Sequence, residues 1–242
     1  AYYQTYYMPN NAVLVLVGDF QTDALLREVE RLFGDLPRGP ELPRLRAVEP
    51  EPQGERRVTV RRPGPAEYLQ IGYLAPDCRH ADFAPMAVLD AVLSGAKALS
   101  FMGGGAQTNR SARIYKALVE TELAAAAGSS YVPSRDPYLL ELSATVAEGR
   151  SAAAVEAALY REVERIQQDG VGEAELAKVL KQVRAQIAYD AESVTNQALQ
   201  LGMWEVLDSY TRTDSLLDEL AAVRADDVRR VAQTYLTEHR RV

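Results

Sequence analysis

Histidine and cysteine are almost absent from this chain: its 242 residues include two histidines, His80 and His239, and one cysteine, Cys78. A protein zinc site ordinarily gathers three or four His, Cys, Asp or Glu ligands at suitable spacing, and these scattered residues do not make one. A single thiol also permits no internal disulfide. Cys78-Arg79-His80 resembles an activated thiolate only superficially, because residues two apart do not face each other on a helix. The tripeptide reads instead as a polar turn after the strand that ends at Ala75-Pro76, and His239 as a solvated C-terminal residue. No apolar run approaches the roughly 18–20 residues that cross a bilayer, so no membrane span is expected. The opening AYYQTYYMPNN has neither the basic nor the apolar region of a secretory signal. G-x-S-x-G, H-E-x-x-H and a phosphate-cradling G-K-[ST] are all missing. Positive charge is short as well: a net charge of -7 opposes nucleic-acid binding and disfavours polyanions as partners. Only four of 27 basic residues are lysine, a bias without functional content.

With 47% hydrophobic and 25% charged residues, the composition is that of an ordinary globular chain rather than a disordered or fibrous one. Ala12 to Val17 reads as a buried strand stopped by Gly18-Asp19, followed by a helix from Asp23 to Phe33 capped by Thr22. From Gly34 to Gly54 five prolines (Pro37, Pro40, Pro43, Pro50, Pro52) forbid regular structure and favour an extended linker. The expected organisation is therefore residues 1–36, a linker over 37–54, and a main domain over 55–242.

In that domain Arg56–Arg61, Tyr68–Leu74, Leu123–Tyr131 and Tyr138–Val146 read as strands. Phe83–Leu93, Ser111–Thr121, Ala152–Gln168, Glu173–Tyr189 and Val194–Leu207, with a short pair from Ser215 to Leu236, read as helices. This order predicts an α+β fold, a largely antiparallel sheet covered by helices on one face. Met203-Trp204 with Leu199 and Leu207 makes a core stripe. Glu173 and Glu175 suit a helix N-terminus better than a catalytic carboxylate pair.

Three stretches carry a family resemblance. Tyr6-Tyr7-Met8-Pro9-Asn10-Asn11 through Gly18-Asp19-Phe20 resembles the segment that closes the catalytic domain of pitrilysin/insulinase zinc metallopeptidases, and Leu32-Phe33-Gly34-Asp35-Leu36-Pro37 fits its continuation. Gly103-Gly104-Gly105 with Ser111-Ala112-Arg113-Ile114-Tyr115-Lys116-Ala117-Leu118-Val119-Glu120 is similar to the family's glycine loop and following "S-S-R-L-Y-x-x-L-v-E". Gly172 to Leu176 resembles a late helix start. The pieces occur in the family's order across nearly the whole chain.

The resemblance implies a metallopeptidase-like α+β fold and two similar domains. It places the H-x-x-E-H zinc motif and its distant Glu ahead of Ala1, so that residues 1–36 are a remnant of the zinc-bearing domain and 55–242 the second, metal-free one. Zinc is expected in the parent protein and no cofactor in this part. The expected partners are a peptide substrate, the upstream zinc domain and a homo- or heterodimer mate. Gly103, Gly104, Gly105, Arg113 and Tyr115 are the candidates for lining a substrate chamber. The glycine loop reads equally as a peptide-contacting loop or a plain surface connection. The Arg/Tyr pair with which many members hold substrate is absent, because Val119 and Ala125 (or Ala126) stand at its positions. Two functions follow from the resemblance: the non-catalytic, substrate-enclosing half of a zinc endopeptidase, or an inactive structural or partner subunit. Neither compartment nor substrate preference is legible.

Overall fold

The computed structural model describes residues 2–43, 52–97 and 109–242. Gly103, Gly104 and Gly105 lie outside the described residues. Three strands, β1 (Tyr68–Ala75), β2 (Ala124–Tyr131) and β3 (Tyr138–Val146), form an antiparallel sheet in the order β1-β3-β2. Successive strand residues face opposite sides, and the apolar ones fall on one of them. Ile71, Tyr73 and Ala75 of β1, Leu140, Leu142, Ala144 and Val146 of β3, and Ala124 and Tyr131 of β2 are all buried.

Onto that face pack α3 (Phe83–Ser94), α4 (Ala152–Asp169) and α8 (Ala225–Tyr235), with α5 (Glu173–Asp190) and α7 (Arg212–Ala221) against α3. Every residue of α3 from Phe83 to Leu93 is buried, as expected of a helix apolar all round and enclosed by neighbours. Its one charged residue is Asp90, which receives Lys97 Nζ at 2.9 and 3.0 Å. α6 (Val194–Leu207) contributes Trp204 and Leu207 to the core, whereas Leu199 is 46% exposed and leaves the expected stripe. Ser151 and Ser193 cap α4 and α6 by accepting from Ala154 N and Asn196 N.

The amino-terminal part departs most from expectation. α1 (Tyr2–Tyr6) and α2 (Thr22–Phe33) are helical, but residues 12–17 form no strand, and Val13, Leu14 and Leu16 are exposed. None of the three strands pairs with them. The outer side of β1 is taken by the C-terminus, where Gly72 and Val242 exchange two backbone hydrogen bonds of 2.9 Å. On the outer side of β2, the Ser129 amide donates to Ser94 Oγ at 2.5 Å and the Ser129 carbonyl accepts from Lys97 Nζ. The segment rests on α6, with Val15 Cγ2 3.5 Å from where a β-carbon on Gly202 would stand. Residues 56–61 are likewise extended and exposed rather than a strand, joined to the fold through the Arg56 amide on Arg241 O at 3.1 Å.

Candidate functional site

The sheet face away from the helices carries Gln70, Gly72 and Leu74 from β1, Leu139, Glu141, Ser143 and Thr145 from β3, and Gly128 and Ser130 from β2. Small and polar residues dominate, Gln70 donates to Glu141 at 3.2 Å, and no described helix packs there. Because α3, α4 and α8 cover the other side, this is the side on which the sheet is open.

The segment before β2, which packs on β2 and α4, is irregular at three successive points. The expected helix over 111–121 is shorter, helical over 113–119, and its part over Tyr115–Val119 is a π turn, with backbone bonds that reach back five residues: Glu120 N to Tyr115 O at 3.0 Å and Leu123 N to Leu118 O at 2.9 Å. Glu122 then adopts φ 57°, a left-handed conformation uncommon outside glycine, and β2 shifts register between Ala124 and Ala126. π turns recur at functional sites, and this one spans the positions singled out by the sequence. Tyr115 and Val119 are half-buried on the turn, and Ala125 is exposed at the irregular start of β2.

Arg113 does not reach freely into the open face. Its guanidinium forms a two-point contact with Glu175, Nε to Oε1 at 2.9 Å and an NH2 to Oε2 at 2.6 Å, and also donates to Gly170 O at 3.2 Å. The residue ties the π turn to the start of α5. The same guanidinium holds the Glu175 carboxyl below its usual range against an opposing desolvation effect. A lowered folded-state value means the pairing stabilises the fold above the unfolded carboxyl range and is lost as pH falls through the folded value. Arg113→Ala is expected to cost about 1–3 kcal/mol near neutral pH, as for a charge-assisted bond. Urea melts should show this cost shrinking below about pH 4.

Among the described residues no three His, Cys, Asp or Glu side chains converge as a metal would require. Cys78 is buried and free, and its thiol is pushed up chiefly by desolvation. His80 Nδ1 accepts from the Asp82 amide at 3.0 Å. The described residues do not fit zinc. No described helix is long and apolar enough to cross a membrane.

The family model described as the peptidase M16 inactive domain matches residues 1–183. The chain belongs to the peptidase M16 family. No curated protein sequence matches it. Among solved structures, a protease from Helicobacter pylori superposes with a TM-score of 0.89 at 21% identity, over 99% of this chain and 56% of that one. A peptidase M16 inactive domain from Pseudomonas fluorescens gives 0.74 at 15% identity, over 93% and 50%. Complex III2 from Candida albicans gives 0.70 at 16% identity, over 100% and 56%. These likenesses establish a shared fold. The M16 chain described here spans about half the length of those relatives.

Sequence reasoning missed the capped sheet edges, the π turn and the Arg113–Glu175 tie. The clue to the last was modest: an acidic helix start at Glu173-Ala174-Glu175, read only as a partner for the helix dipole.

Proposed function

We propose that this M16 domain is the non-catalytic half of a zinc metalloendopeptidase, and that its open sheet face walls a chamber for an unfolded peptide. In this reading residues 1–36 complete the preceding, zinc-bearing domain, 37–54 are the linker, and 55–242 are the second domain. The observation that carries the proposal is α2. Its apolar side chains Leu26, Leu32 and Phe33 are 60, 55 and 50% exposed, and the helix buries none of its residues. A stripe of that kind is normally covered by a neighbouring element. With Leu14 and Leu16 beside it in sequence, it presents the surface that an upstream domain would cover.

Catalytic metal chemistry belongs to that upstream domain, and this chain contributes enclosure. Gly103, Gly104, Gly105 and Tyr115 are the chamber-side residues, and Arg113 positions the turn that bears Tyr115. Val242 at Gly72 and Ser94 with Lys97 at Ser129 each take one point of a sheet edge, and in this reading the peptide lies across the face. A second reading, an inactive partner or core-type subunit, is supported by the likeness to a complex III assembly, while Val119 and Ala125 at the Arg/Tyr positions are compatible with both readings. Sequencing the coding DNA ahead of Ala1 separates the two. An H-x-x-E-H motif with a later Glu supports the peptidase half, and its absence supports the scaffold.

A further inference from the structure

On the reading of residues 37–54 as an interdomain linker, we infer that Glu55, Arg57, Glu156, Tyr160 and Arg241 form a clasp that anchors the linker where it enters the second domain, so that motion between the two halves stops at Gly54 and does not reach the sheet. Five side chains from three distant parts of the chain close a ring. Arg241 Nε donates to Glu55 Oε1 at 2.9 Å, and the Arg241 guanidinium lies over the Tyr160 ring, 4.2 Å from its centroid. Tyr160 Oη donates to Glu156 Oε1 at 2.8 Å. Arg57 makes a two-point contact with Glu156, at 2.5 and 3.1 Å, and returns to Glu55 Oε1 at 3.2 Å.

The ring joins a mobile approach to two fixed supports. Glu156 and Tyr160 stand one turn apart on α4. Arg241 pairs with Tyr73 of β1, beside the Gly72–Val242 exchange, and its carbonyl accepts from Arg56 N at 3.1 Å, so backbone and side chains hold the same point. Isolated surface ion pairs contribute little, whereas two-point and networked ones persist. The Glu156 and Arg241 side chains are 15 and 17% exposed, and a guanidinium stacked on an aromatic face adds to the pairing. Ahead of the ring a β-carbon on Gly54 would meet nothing within 4 Å, which leaves the chain free to turn up to the clasp. Beyond it residues 58–61 are exposed and make no backbone hydrogen bond among the described residues. The attachment of this segment therefore rests on the ring and on Arg56.

The test is limited proteolysis of the 242-residue chain with trypsin, comparing initial rates of cleavage after Arg57, inside the clasp, and after Arg61, beyond it. Cleavage requires the chain around the bond to open locally, so its rate reports how often the clasp is released. Arg57 is expected to be cut at least tenfold more slowly than Arg61. Arg241→Ala and, separately, Glu156→Gln should raise the Arg57 rate at least tenfold while leaving the Arg61 rate and the hydrogen exchange of β1 and β3 amides unchanged. Arg241→Lys, which keeps a charge for Glu55 and loses the planar stack, should fall between. Arg31→Ala, which removes the exposed Arg31–Glu28 pair of α2, should change neither rate. Equal cleavage at both sites in the unaltered chain, an Arg57 rate indifferent to Arg241→Ala, or the same gain in Arg31→Ala would overturn the inference. So would a gain accompanied by faster exchange throughout β1 and β3, which would make the ring part of the domain's global stability. None of these readouts involves zinc or peptide cleavage by the parent, so a parent without H-x-x-E-H would defeat the peptidase reading and leave the clasp standing.

Discussion

Replacing Phe83 with alanine is expected to destabilise the domain by about 3–5 kcal/mol, the cost of emptying a buried aromatic site, and to lower its melting temperature by about 10 °C for a chain of this size. Phe83 is fully buried at the first turn of α3, where four elements meet on its ring. Tyr131 of β2 lies 5.8 Å away centroid to centroid, Trp204 of α6 stands edge-on at 6.0 Å, and the Arg212 guanidinium of α7 sits 5.4 Å over the ring. The substitution removes apolar burial and favourable ring contacts, and it also leaves a desolvated guanidinium above a void. Denaturant unfolding with Leu199→Ala as comparison measures the effect. The half-exposed Leu199 should cost less than about 1 kcal/mol, and equal losses at both positions would refute this account of the core.

Local chemistry was legible and long-range chemistry was not. β3 over Tyr138–Val146 and α6 over Val194–Leu207 coincide with the sequence expectation, because alternation and capping act within a few residues. Residues 12–17 misled for the opposite reason. A run of Val and Leu signals burial without naming what covers it, and here no strand of the sheet pairs with it. The π turn is equally invisible, since its sequence periodicity is that of an ordinary helix. The Arg113–Glu175 tie spans 62 positions. The M16 resemblance found the family through residues 6–37 and 111–120, yet its candidate Arg113 proved to be tied to α5.

The second large effect is expected at the exposed amino-terminal apolar surface. In the full-length parent, Leu14→Asp with Leu16→Asp should weaken the docking of residues 1–36 on the zinc-bearing domain by a factor of about a hundred or more. Each substitution places a charge where an apolar contact forms, and two costs of about 1.5 kcal/mol combine to roughly that factor. Leu14 and Leu16 are 56 and 44% exposed in this chain, so the melting temperature of residues 1–242 should not move. A matching collapse of the isolated chain would show that these residues serve its own core instead of an interface.

The central claim, that this M16 domain encloses a substrate it does not cleave, is tested most directly by assaying an unfolded peptide against the full-length parent, the parent carrying the two aspartate substitutions, and residues 1–242 alone. The account predicts cleavage by the parent that a chelator abolishes, strongly reduced cleavage by the aspartate variant, and none by residues 1–242. Cleavage by residues 1–242 that survives chelator washing would contradict it, as would an aspartate variant as active as the parent.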